Sequence, residues 1–381
     1  MRAMRVLMVS KACYIAAYRK KLEELASFPD MELTLLTPPF WRTGDRKAYL
    51  EAGNDQGYQM VLENPVRNGD FHLHFYRGLP ALVESLRPDI VHIDEEPYDF
   101  VTFHAFRAAR KAGAKIIFFT WQNIERSFPL PFSWFEHRIL KGVHGALAGS
   151  QDAARILRNK GYSRPLYVIP QFGIDPHLFL AREAEDIPET FTAERPFRIG
   201  FSGRLVEEKG LLGLLRALVD LRGSWDLQLV GDGPYRAALK DAARALGIAE
   251  HVHFLGGVPS EQVPEHLRNL DALVNPSLTW QQGNTLWKEQ FGRSLVEAMA
   301  CQVPVVGSDS GEIPNVVADA GLIAPEGDAP ALRAHLQNLM DSPGLRRLLG
   351  LRGRQRVLQH YTHRRIAEQT YACYQQLQDM P

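Results

Sequence analysis

Residues 197–221 read FRIGFSGRLVEEKGLLGLLRALVDL, and their pattern predicts one strand followed by one helix. Phe197–Ser202 is a short apolar run of strand length, which ends at Gly203. A polar turn follows, and from Gly210 to Leu221 leucines recur at helical spacing. The same succession of strand, turn and helix recurs on both sides of this stretch. Alternation of this kind is typical of a parallel sheet with crossover helices.

The alternation is interrupted at Tyr167–Ala181 (YVIPQFGIDPHLFLA), where two prolines and a glycine break the pattern. The residues after it, Ala181–Arg195, are polar and acidic, as in a linker between domains. We therefore predict an α/β protein with two tandem Rossmann-like, doubly wound domains, residues 1–175 and 176–361. Predicted helices include Phe100–Ala112, Asp152–Lys160, Glu261–Asn269, Ser294–Cys301 and a last amphipathic helix, Thr362–Leu377.

Composition excludes several classes of protein. The 381 residues carry 44 Lys and Arg against 44 Asp and Glu, so no net charge favours binding to nucleic acid. Three distant cysteines form neither a disulfide framework nor a metal cluster. The apolar run Val6–Val9 is too short for a signal peptide, and no stretch approaches the roughly 20 apolar residues of a membrane span. We expect a cytoplasmic protein.

The turn after the strand Phe197–Ser202 is a candidate phosphate site, because ligands of open α/β sheets bind at the carboxyl ends of strands. Arg204 and Lys209 lie in this turn or at the start of the next helix, where the helix dipole disfavours cations. An anion between them would explain their position. Neutralisation by Glu207 and Glu208 as surface pairs explains it equally well.

A second candidate lies around the start of the helix Ser294–Cys301, where backbone N–H groups could hold a phosphate. Glu289 precedes this helix and is either functional or a solvated loop residue. Glu297 lies in its first turns, and Ser294-x-x-Glu297 also matches a capping box, a purely structural motif. The glycines of Val230–Pro234 (VGDGP) indicate either a tight turn or a close backbone approach.

Five motifs in the second half resemble, in their order and spacing, glycosyltransferase family 4, retaining group 1 enzymes of the GT-B fold. They are GRLVEEKG (203–210), GDGP (231–234), FLGGVP (254–259), NPS (275–277) and EQFGRSLVEAMACQVPVVGSDSG (289–311). The resemblance covers about Gly200 to Val317, and the break at Tyr167–Ala181 looks like the family's interdomain segment. The first half matches only weakly.

The resemblance implies two domains facing a central cleft and transfer of a sugar from a nucleotide-diphosphate sugar to an acceptor. Residues 1–175 would bind the acceptor and residues 176–361 the donor, and residues 362–381 would pack back on the first domain. Arg204 and Lys209 would bind the diphosphate, Glu289 the sugar hydroxyls and Glu297 the ribose. The remaining donor-site candidates are Gly203, Gly231, Val258, Pro259, Phe291, Gly292, Arg293 and Ser294. A UDP-sugar is favoured by its frequency, and neither a cofactor nor a metal ion is expected.

On the acceptor side, the family's usual histidine is replaced, and Gln122 of the turn Trp121–Asn123 takes its place. Trp121, Gln122, Asn123, Glu95 and Glu96 are the candidates there for sugar or acceptor contacts. The acceptor could be a sugar, a lipid-linked sugar or a small molecule. A sugar-nucleotide epimerase or hydrolase, or a catalytically silent nucleotide-binding scaffold, stays an alternative.

Two further segments each allow more than one interpretation. The arginine-rich stretch Leu345–Gln359 is best explained as a solvated helical face, and otherwise as a basic patch facing a partner or a membrane. The aromatic stretch Phe128–Phe135 (FPLPFSWF) could be core, a lid over the acceptor site, or a membrane-contacting patch. A peripheral contact with the inner face of a membrane is therefore an expectation as well.

Overall fold

A computed structural model of the chain describes residues 3–183, 187–259, 262–283 and 285–380. They form two compact units. Unit 1 consists of Met1–Gly173 together with His363–Pro381, and unit 2 consists of Ile174–Thr362. The division after Gly173 lies two residues before the boundary that the sequence predicts, inside the segment in which prolines and a glycine break the alternation.

Unit 1 is built on a seven-stranded parallel sheet in the order β5-β2-β1-β6-β7-β8-β9. Its strands are apolar over most of their length, as expected for a sheet covered on both faces. The strands are β1 (Met4–Val9), β2 (Met31–Thr37), β5 (Gln59–Leu62), β6 (Ile90–Ile93), β7 (Lys115–Thr120), β8 (Gly145–Ala148) and β9 (Leu166–Val168), and β3 (Phe40–Thr43) and β4 (Arg46–Tyr49) form a separate antiparallel pair. The helices are α1 (Ala16–Ala26), α2 (Leu79–Leu86), α3 (Phe100–Ala112), α4 (Phe132–Gly142) and α5 (Gln151–Asn159).

Unit 2 repeats this plan with a six-stranded parallel sheet in the order β12-β11-β10-β13-β16-β17. Its strands are β10 (Phe197–Ser202), β11 (Trp225–Val230), β12 (Val252–Gly256), β13 (Ala272–Asn275), β16 (Val305–Ser308) and β17 (Leu322–Ala324), and β14 (Trp280–Gln282) pairs antiparallel with β15 (Thr285–Trp287). The helices are α6 (Leu211–Val219), α7 (Arg236–Ala245), α8 (Val263–Arg268), α9 (Arg293–Ala300), α10 (Ile313–Val317), α11 (Ala329–Asp341) and α12 (Pro343–His360).

The predicted α/β class with two doubly wound units is confirmed. Helix α3 and strand β10 have the predicted bounds, and the other predicted elements differ by a few residues at their ends. The helix predicted at Glu261–Asn269 begins at Val263 among the described residues, and Glu261 lies outside them. The two antiparallel pairs were not predicted, because their strands of three or four residues carry no apolar run long enough to identify.

The arginines of Leu345–Gln359 divide into two groups: Arg347 and Arg352 lie on the exposed side of α12, as a solvated helical face predicts, whereas the other three do not. Arg346 is fully buried and donates a hydrogen bond of 3.0 Å to the carbonyl of Met340. Arg356 donates 2.7 Å to the carbonyl of Val316, and Arg354 also donates to backbone carbonyls. These three side chains therefore satisfy backbone carbonyls in the last turns of α11, α10 and α9 instead of forming a solvated or basic surface.

Helix α13 (His363–Gln378) closes unit 1 by packing against α1. Ile366, Tyr374 and Leu377 are buried in the same apolar cluster as residues of β1 and β2. The Tyr374 hydroxyl lies 2.6 Å from Nδ1 of the buried His92 at the end of β6. Burial lowers the pKa of His92 to about 4, so the ring is neutral and Nδ1 accepts the hydrogen bond from Tyr374.

Removing this hydroxyl tests how α13 is held in unit 1. We expect Tyr374→Phe to lower the free energy of unfolding by about 1–2 kcal/mol, because a buried ring nitrogen loses its donor. Tyr371→Phe is a matched control on the same helix, because the Tyr371 hydroxyl bonds Asp30 at the surface; we expect it to cost less than about 0.5 kcal/mol. Denaturant titrations of the two variants measure both values, and equal losses would contradict the prediction.

Candidate functional site

The candidate site of unit 2 lies at the point where its strand order reverses. From β10 the chain continues outward to β11 and β12, and it then returns to β13 on the other side of β10. The turns after β10 and β13 therefore diverge and leave a crevice at the carboxyl edge of the sheet, which is where ligands of such sheets bind. Lys209 follows β10, and Asn275 ends β13.

The carboxylate of Glu289 lies between the two turns and is bonded to both. The Lys209 Nζ lies 2.5 Å from Oε2 of Glu289, which is only 7% exposed. The same carboxylate oxygen lies 2.8 Å from Ser277 Oγ and 3.4 Å from Asn275 Nδ2. The alternative of Glu289 as a solvated loop residue is therefore wrong. Its carboxylate is held by donors from two other segments of the chain, the turn after β10 and the end of β13.

Glycines make this approach of the turns possible. Gly210 has φ +66°, and a Cβ there would lie 2.0 Å from the carbonyl oxygen of Pro276. A Cβ on Gly311, at φ +53°, would lie 2.1 Å from the carbonyl oxygen of Glu289. Since real side chains do not tolerate such distances, any other residue at Gly210 would displace the Lys209 turn from the segment of Pro276, and any other residue at Gly311 would displace the turn after β16 from the backbone of Glu289.

Arg204 does not converge with Lys209. Its side chain is 78% exposed, and the guanidinium lies 3.9 Å from the Glu208 carboxylate. The alternative in which Glu207 and Glu208 neutralise both cations holds for Arg204 only, because Lys209 pairs with Glu289 instead. The role of Arg204 in binding a diphosphate stays a prediction.

The glycines of the two turns after β10 and β11 touch each other. Gly231 has φ +129°, and a Cβ there would lie 1.9 Å from the carbonyl oxygen of Gly203. The Gly203 N–H donates to the carbonyl of Val230 at 2.9 Å. Close backbone approach therefore explains these glycines. Val258 and Pro259 follow β12, where Val258 is partly buried and Pro259 is exposed.

Helix α9 begins two residues earlier than a capping box at Ser294 would require. Gly292 takes the N-cap position with φ +78°, and Ser294 lies inside the first turn. The capping-box explanation of Glu297 is therefore wrong. Its carboxylate accepts a hydrogen bond of 2.8 Å from Nε of Arg293 instead. Burial raises the pKa of Glu297, and Arg293 opposes this shift.

Phe291, just before α9, is a packing residue in this structure. It is 6% exposed, and its ring meets Tyr361 edge to face with centroids 5.6 Å apart. Only its backbone is therefore placed to contact a ligand.

Unit 1 has a second cluster at the corresponding reversal, between β1 and β6. Asp94 accepts from Ser10 Oγ at 2.7 Å and from Gln171 Nε2 at 2.9 Å, and Lys21 lies 3.7 Å away. Glu95 accepts from the backbone N–H of Lys11 at 2.6 Å, and it also pairs with the ammonium of Lys11. Each carboxylate is thus held separately, and no three acidic, His or Cys side chains of the described residues converge on one metal position.

Glu96, the third carboxylate of this cluster, has no cation among the hydrogen-bond donors found for it. Its oxygens accept from Thr120 Oγ1 at 2.5 Å and from the Trp121 N–H at 2.8 Å. Burial nevertheless raises the pKa of Glu96 from 4.5 to about 7. For the pair beside it, burial alone would lower the pKa of Lys11, but the carboxylates of Glu95 and Asp99 outweigh burial and raise it.

The turn after β7 lies within the same cluster. Trp121 donates from its indole to Gln171 Oε1 at 2.9 Å, and Asn123 is buried. Gln122 is 8% exposed and accepts from Lys160 Nζ at 2.8 Å. Its Nε2 is buried and makes no hydrogen bond to any described residue. Gln122 therefore has a donor to offer at the position where the family usually has a histidine.

The aromatic segment Phe128–Phe135 divides between core and surface. Phe135 is 7% exposed and packs on Phe103, whereas Leu130 is 77% and Trp134 is 46% exposed. The interpretation as core is thus confirmed for Phe135, whereas Leu130 and Trp134 form an exposed apolar surface.

Several site residues were missed from the sequence. Asn275 and Ser277 belong to the NPS motif, and their place after a strand next to the reversal could have identified them. Lys11, Gln171 and Lys160 carry no local signal, because their partners are 24 to 84 residues away in the chain.

Two family models match the chain and together span most of it. The description "Glycosyl transferases group 1" covers residues 183–356, and "Glycosyl transferase 4-like domain" covers residues 22–171. The chain belongs to glycosyltransferase family 4, group 1 type. The family resemblance that the five motifs indicate is therefore confirmed.

Among curated relatives, a GDP-mannose-dependent alpha-(1-6)-phosphatidylinositol monomannoside mannosyltransferase of Mycolicibacterium smegmatis is 36% identical over 184 residues. The match covers 46% of this chain and 47% of the relative, so the chain spans about half of that protein. A glycosyltransferase from Rickettsia africae has TM-score 0.74 at 16% identity, with all of both chains covered. The Anabaena protein HepE, crystallised with UDP, has TM-score 0.70 at 17% identity, covering 98% of this chain and all of the other. The predicted GT-B fold class is confirmed by these structures.

Glu96 offers a test of the unit 1 cluster through pH. Its raised pKa stabilises the folded state below pH 4.5, and this contribution is lost as the pH rises through about 7. We expect Glu96→Gln, relative to the wild type, to gain about 2–3 kcal/mol of unfolding free energy between pH 5 and pH 8. Denaturant titrations at both pH values measure the gain. The exposed Glu125→Gln should show no such gain, and a difference for Glu96→Gln that does not change with pH would refute the prediction.

Proposed function

We propose that this protein is a retaining glycosyltransferase that moves a sugar from a nucleotide-diphosphate sugar to an acceptor hydroxyl. The observation that carries the proposal is the buried pair of Lys209 and Glu289 at the reversal of the unit 2 sheet. Family resemblance assigns these two groups to the diphosphate and to the donor sugar. They come from turns that are 80 residues apart in the chain, and they lie together at a ligand-binding edge.

The chemistry requires stabilisation of a leaving diphosphate and orientation of an electron-deficient sugar ring. Lys209 supplies a cation, and the backbone amides from Phe291 to Ser294 supply dipoles at the start of α9, so we propose that no metal ion is needed. Glu289, held by Ser277 and Asn275, orients sugar hydroxyls. The departing phosphate oxygen accepts the acceptor's proton on the face from which it leaves, in keeping with retention.

The remaining assignments follow the same plan. Glu297 binds the ribose hydroxyls, and Val258 and Pro259 lie beside the base. Gly203 and Gly231 have no side chains, and their turns therefore leave space for the phosphates. Unit 1 binds the acceptor through the cluster after β6 and β7, with contacts from Glu95, Glu96, Trp121, Gln122 and Asn123. The buried Nε2 of Gln122 supports this, since a sugar hydroxyl would satisfy it.

The donor base is the least constrained part of the proposal. The M. smegmatis relative is named for GDP-mannose, and HepE was crystallised with UDP. The preference for a UDP-sugar stays a prediction. A thermal-shift panel with UDP, GDP and ADP, each with magnesium or with EDTA, identifies the base. A nucleotide at 100 times its Kd stabilises the fold by roughly 2.7 kcal/mol, and absence of any shift would argue for the silent scaffold.

Lys209→Ala tests the proposed catalysis. We expect it to reduce transfer on the order of 10²–10³-fold or more, because the leaving diphosphate loses a cation in a desolvated site. Thermal melting of Lys209→Ala shows whether the variant stays folded with the Glu289 carboxylate buried without its cation, so that loss of activity is separated from unfolding. Lys240→Ala, on the exposed face of α7, is the matched control and should transfer normally. Transfer by Lys209→Ala at the wild-type rate would exclude the phosphate-binding role.

A lipid-linked acceptor is the second part of the proposal, together with a peripheral contact between unit 1 and an anionic membrane. Among the described residues, no helix has the length and apolar character to cross a bilayer. Leu130 and Trp134 are exposed, and Arg138 lies 6.0 Å over the Trp134 ring. Further exposed cations occupy α3 and α4: Arg107, Arg110, Lys111 and Lys141. Aromatic side chains with surrounding cations suit a negatively charged lipid surface.

Vesicle co-sedimentation tests this contact. We expect the protein to bind vesicles of phosphatidylcholine with phosphatidylglycerol, but not phosphatidylcholine alone. The double variant Leu130→Glu with Trp134→Glu should bind about tenfold more weakly, because it removes apolar anchors and adds repelling charge. Leu62→Glu, which changes an exposed leucine elsewhere in unit 1, should bind as the wild type does. Wild-type protein that stays in the supernatant with anionic vesicles would exclude the contact.

A further inference from the structure

The antiparallel pair β14–β15 interrupts the chain between the two halves of the Lys209 site. Ser277 precedes it, and Glu289 follows it by two residues. The pair aligns Trp280 with Trp287 and Gln282 with Thr285. Asn284, between the strands, lies outside the described residues, and nothing below depends on it. A segment inserted at this place brings additional side chains to the site without altering the sheet.

The start of this hairpin is hydrogen-bonded to two other segments of unit 2. The Leu278 N–H donates to the carbonyl of Glu208 at 2.9 Å, in the turn that carries Lys209. Thr279 donates from its N–H at 2.5 Å and from its Oγ1 at 2.7 Å to the Glu326 carboxylate. The two residues that precede the first strand are therefore fixed, and the hairpin starts from a defined position beside the Lys209 turn.

That second strand places an indole against the Lys209 ammonium. Nζ of Lys209 lies 4.9 Å from the Trp287 ring centroid, well within the range of a cation–π contact. The same Nζ lies 2.5 Å from Glu289 Oε2, and the lysine side chain is 19% exposed. The ammonium therefore has one carboxylate and one aromatic face as neighbours.

The choice of an aromatic neighbour has a chemical consequence. An ammonium has three N–H donors, and the carboxylate of Glu289 engages it on one side. A second carboxylate would hold Lys209 as firmly, but it would repel an incoming diphosphate. An aromatic ring attracts the cation through its quadrupole while carrying no net charge. The indole thus orients Lys209 and leaves its positive charge available to an anion.

We propose that Trp287 is a positioning residue, which acts by holding the Lys209 ammonium where it meets the diphosphate of the donor. This inference rests on the proposed function of the Lys209 site and extends it to a residue that the family motifs do not include. The residue acts through Lys209 and not on the substrate directly. Replacement of Trp287 should therefore weaken nucleotide binding and transfer together. The effect should be larger for a residue without an aromatic ring than for one that keeps a ring.

Three substitutions separate the aromatic face from simple packing. Trp287→Phe keeps a ring at the position, Trp287→Leu keeps apolar bulk without a ring, and Trp280→Leu makes the matched change on the opposite strand of the hairpin. The measurements are the Kd of the nucleoside diphosphate identified for the wild type, and kcat and KM for transfer. Thermal melting shows that each variant is folded.

We expect Trp287→Leu to lose about 3- to 30-fold in nucleotide affinity and in kcat/KM, the range of a partly desolvated cation–π contact. Trp287→Phe should recover most of the loss, and Trp280→Leu should behave as the wild type. The inference is overturned if Trp287→Leu matches Trp280→Leu, or if Trp287→Phe loses as much as Trp287→Leu. A wild-type protein that binds no nucleoside diphosphate would instead contradict the proposed function, whatever the tryptophan variants do.

Discussion

The Lys209–Glu289 ion pair imposes the strictest constraint on the unit 2 site. A carboxylate that is 7% exposed costs several kcal/mol in desolvation unless partners compensate it. Here the partners come from the turn after β10 and from the end of β13, so both turns must be in place for Glu289 to be buried. Gly210 and Gly311 contribute to the same arrangement, since a Cβ on Gly210 would displace the Lys209 turn from Pro276 and a Cβ on Gly311 would clash with the backbone of Glu289. One electrostatic demand thus explains the hydrogen-bonded polar residues and the glycines together.

The two units carry different charged residues at the point where the strand order of each sheet reverses. In unit 2 the reversal of strand order collects one cation, one carboxylate and a group of glycines. In unit 1 it collects four carboxylates after β6, of which Asp94 and Glu95 each have a lysine within ion-pair distance and Asp99 has His72 at 2.8 Å. The four carboxylates of unit 1 outnumber the two lysines paired with them and would repel an anion, whereas the Lys209–Glu289 pair of unit 2 carries no net charge. This difference fits a donor on unit 2 and a neutral, hydroxyl-rich acceptor on unit 1.

The fold and half of the candidate site could be predicted from the sequence, because both depend on local pattern. Apolar runs of strand length and leucines at helical spacing predicted β10, α3 and α9 to within a residue or two. Motif spacing identified Lys209 and Glu289. Contacts between distant segments could not be predicted, and for this reason the roles of Gln171 and Lys160 were missed. The capping-box prediction also failed. Gly292, with its positive φ, is the N-cap of α9, the position that Ser294 was predicted to fill.

Helix α13 makes the chain's two ends parts of one unit, and this has a consequence for synthesis on the ribosome. Residues 174–362 are contiguous and leave the exit tunnel as a complete set, so unit 2 can close its core while translation continues. The first 173 residues, although made earlier, lack α13, which shares an apolar cluster with β1 and β2, until residues 363–378 have been synthesised. The half of the protein that is translated first is therefore finished last, and the nascent chain carries an uncovered apolar sheet face for most of its synthesis.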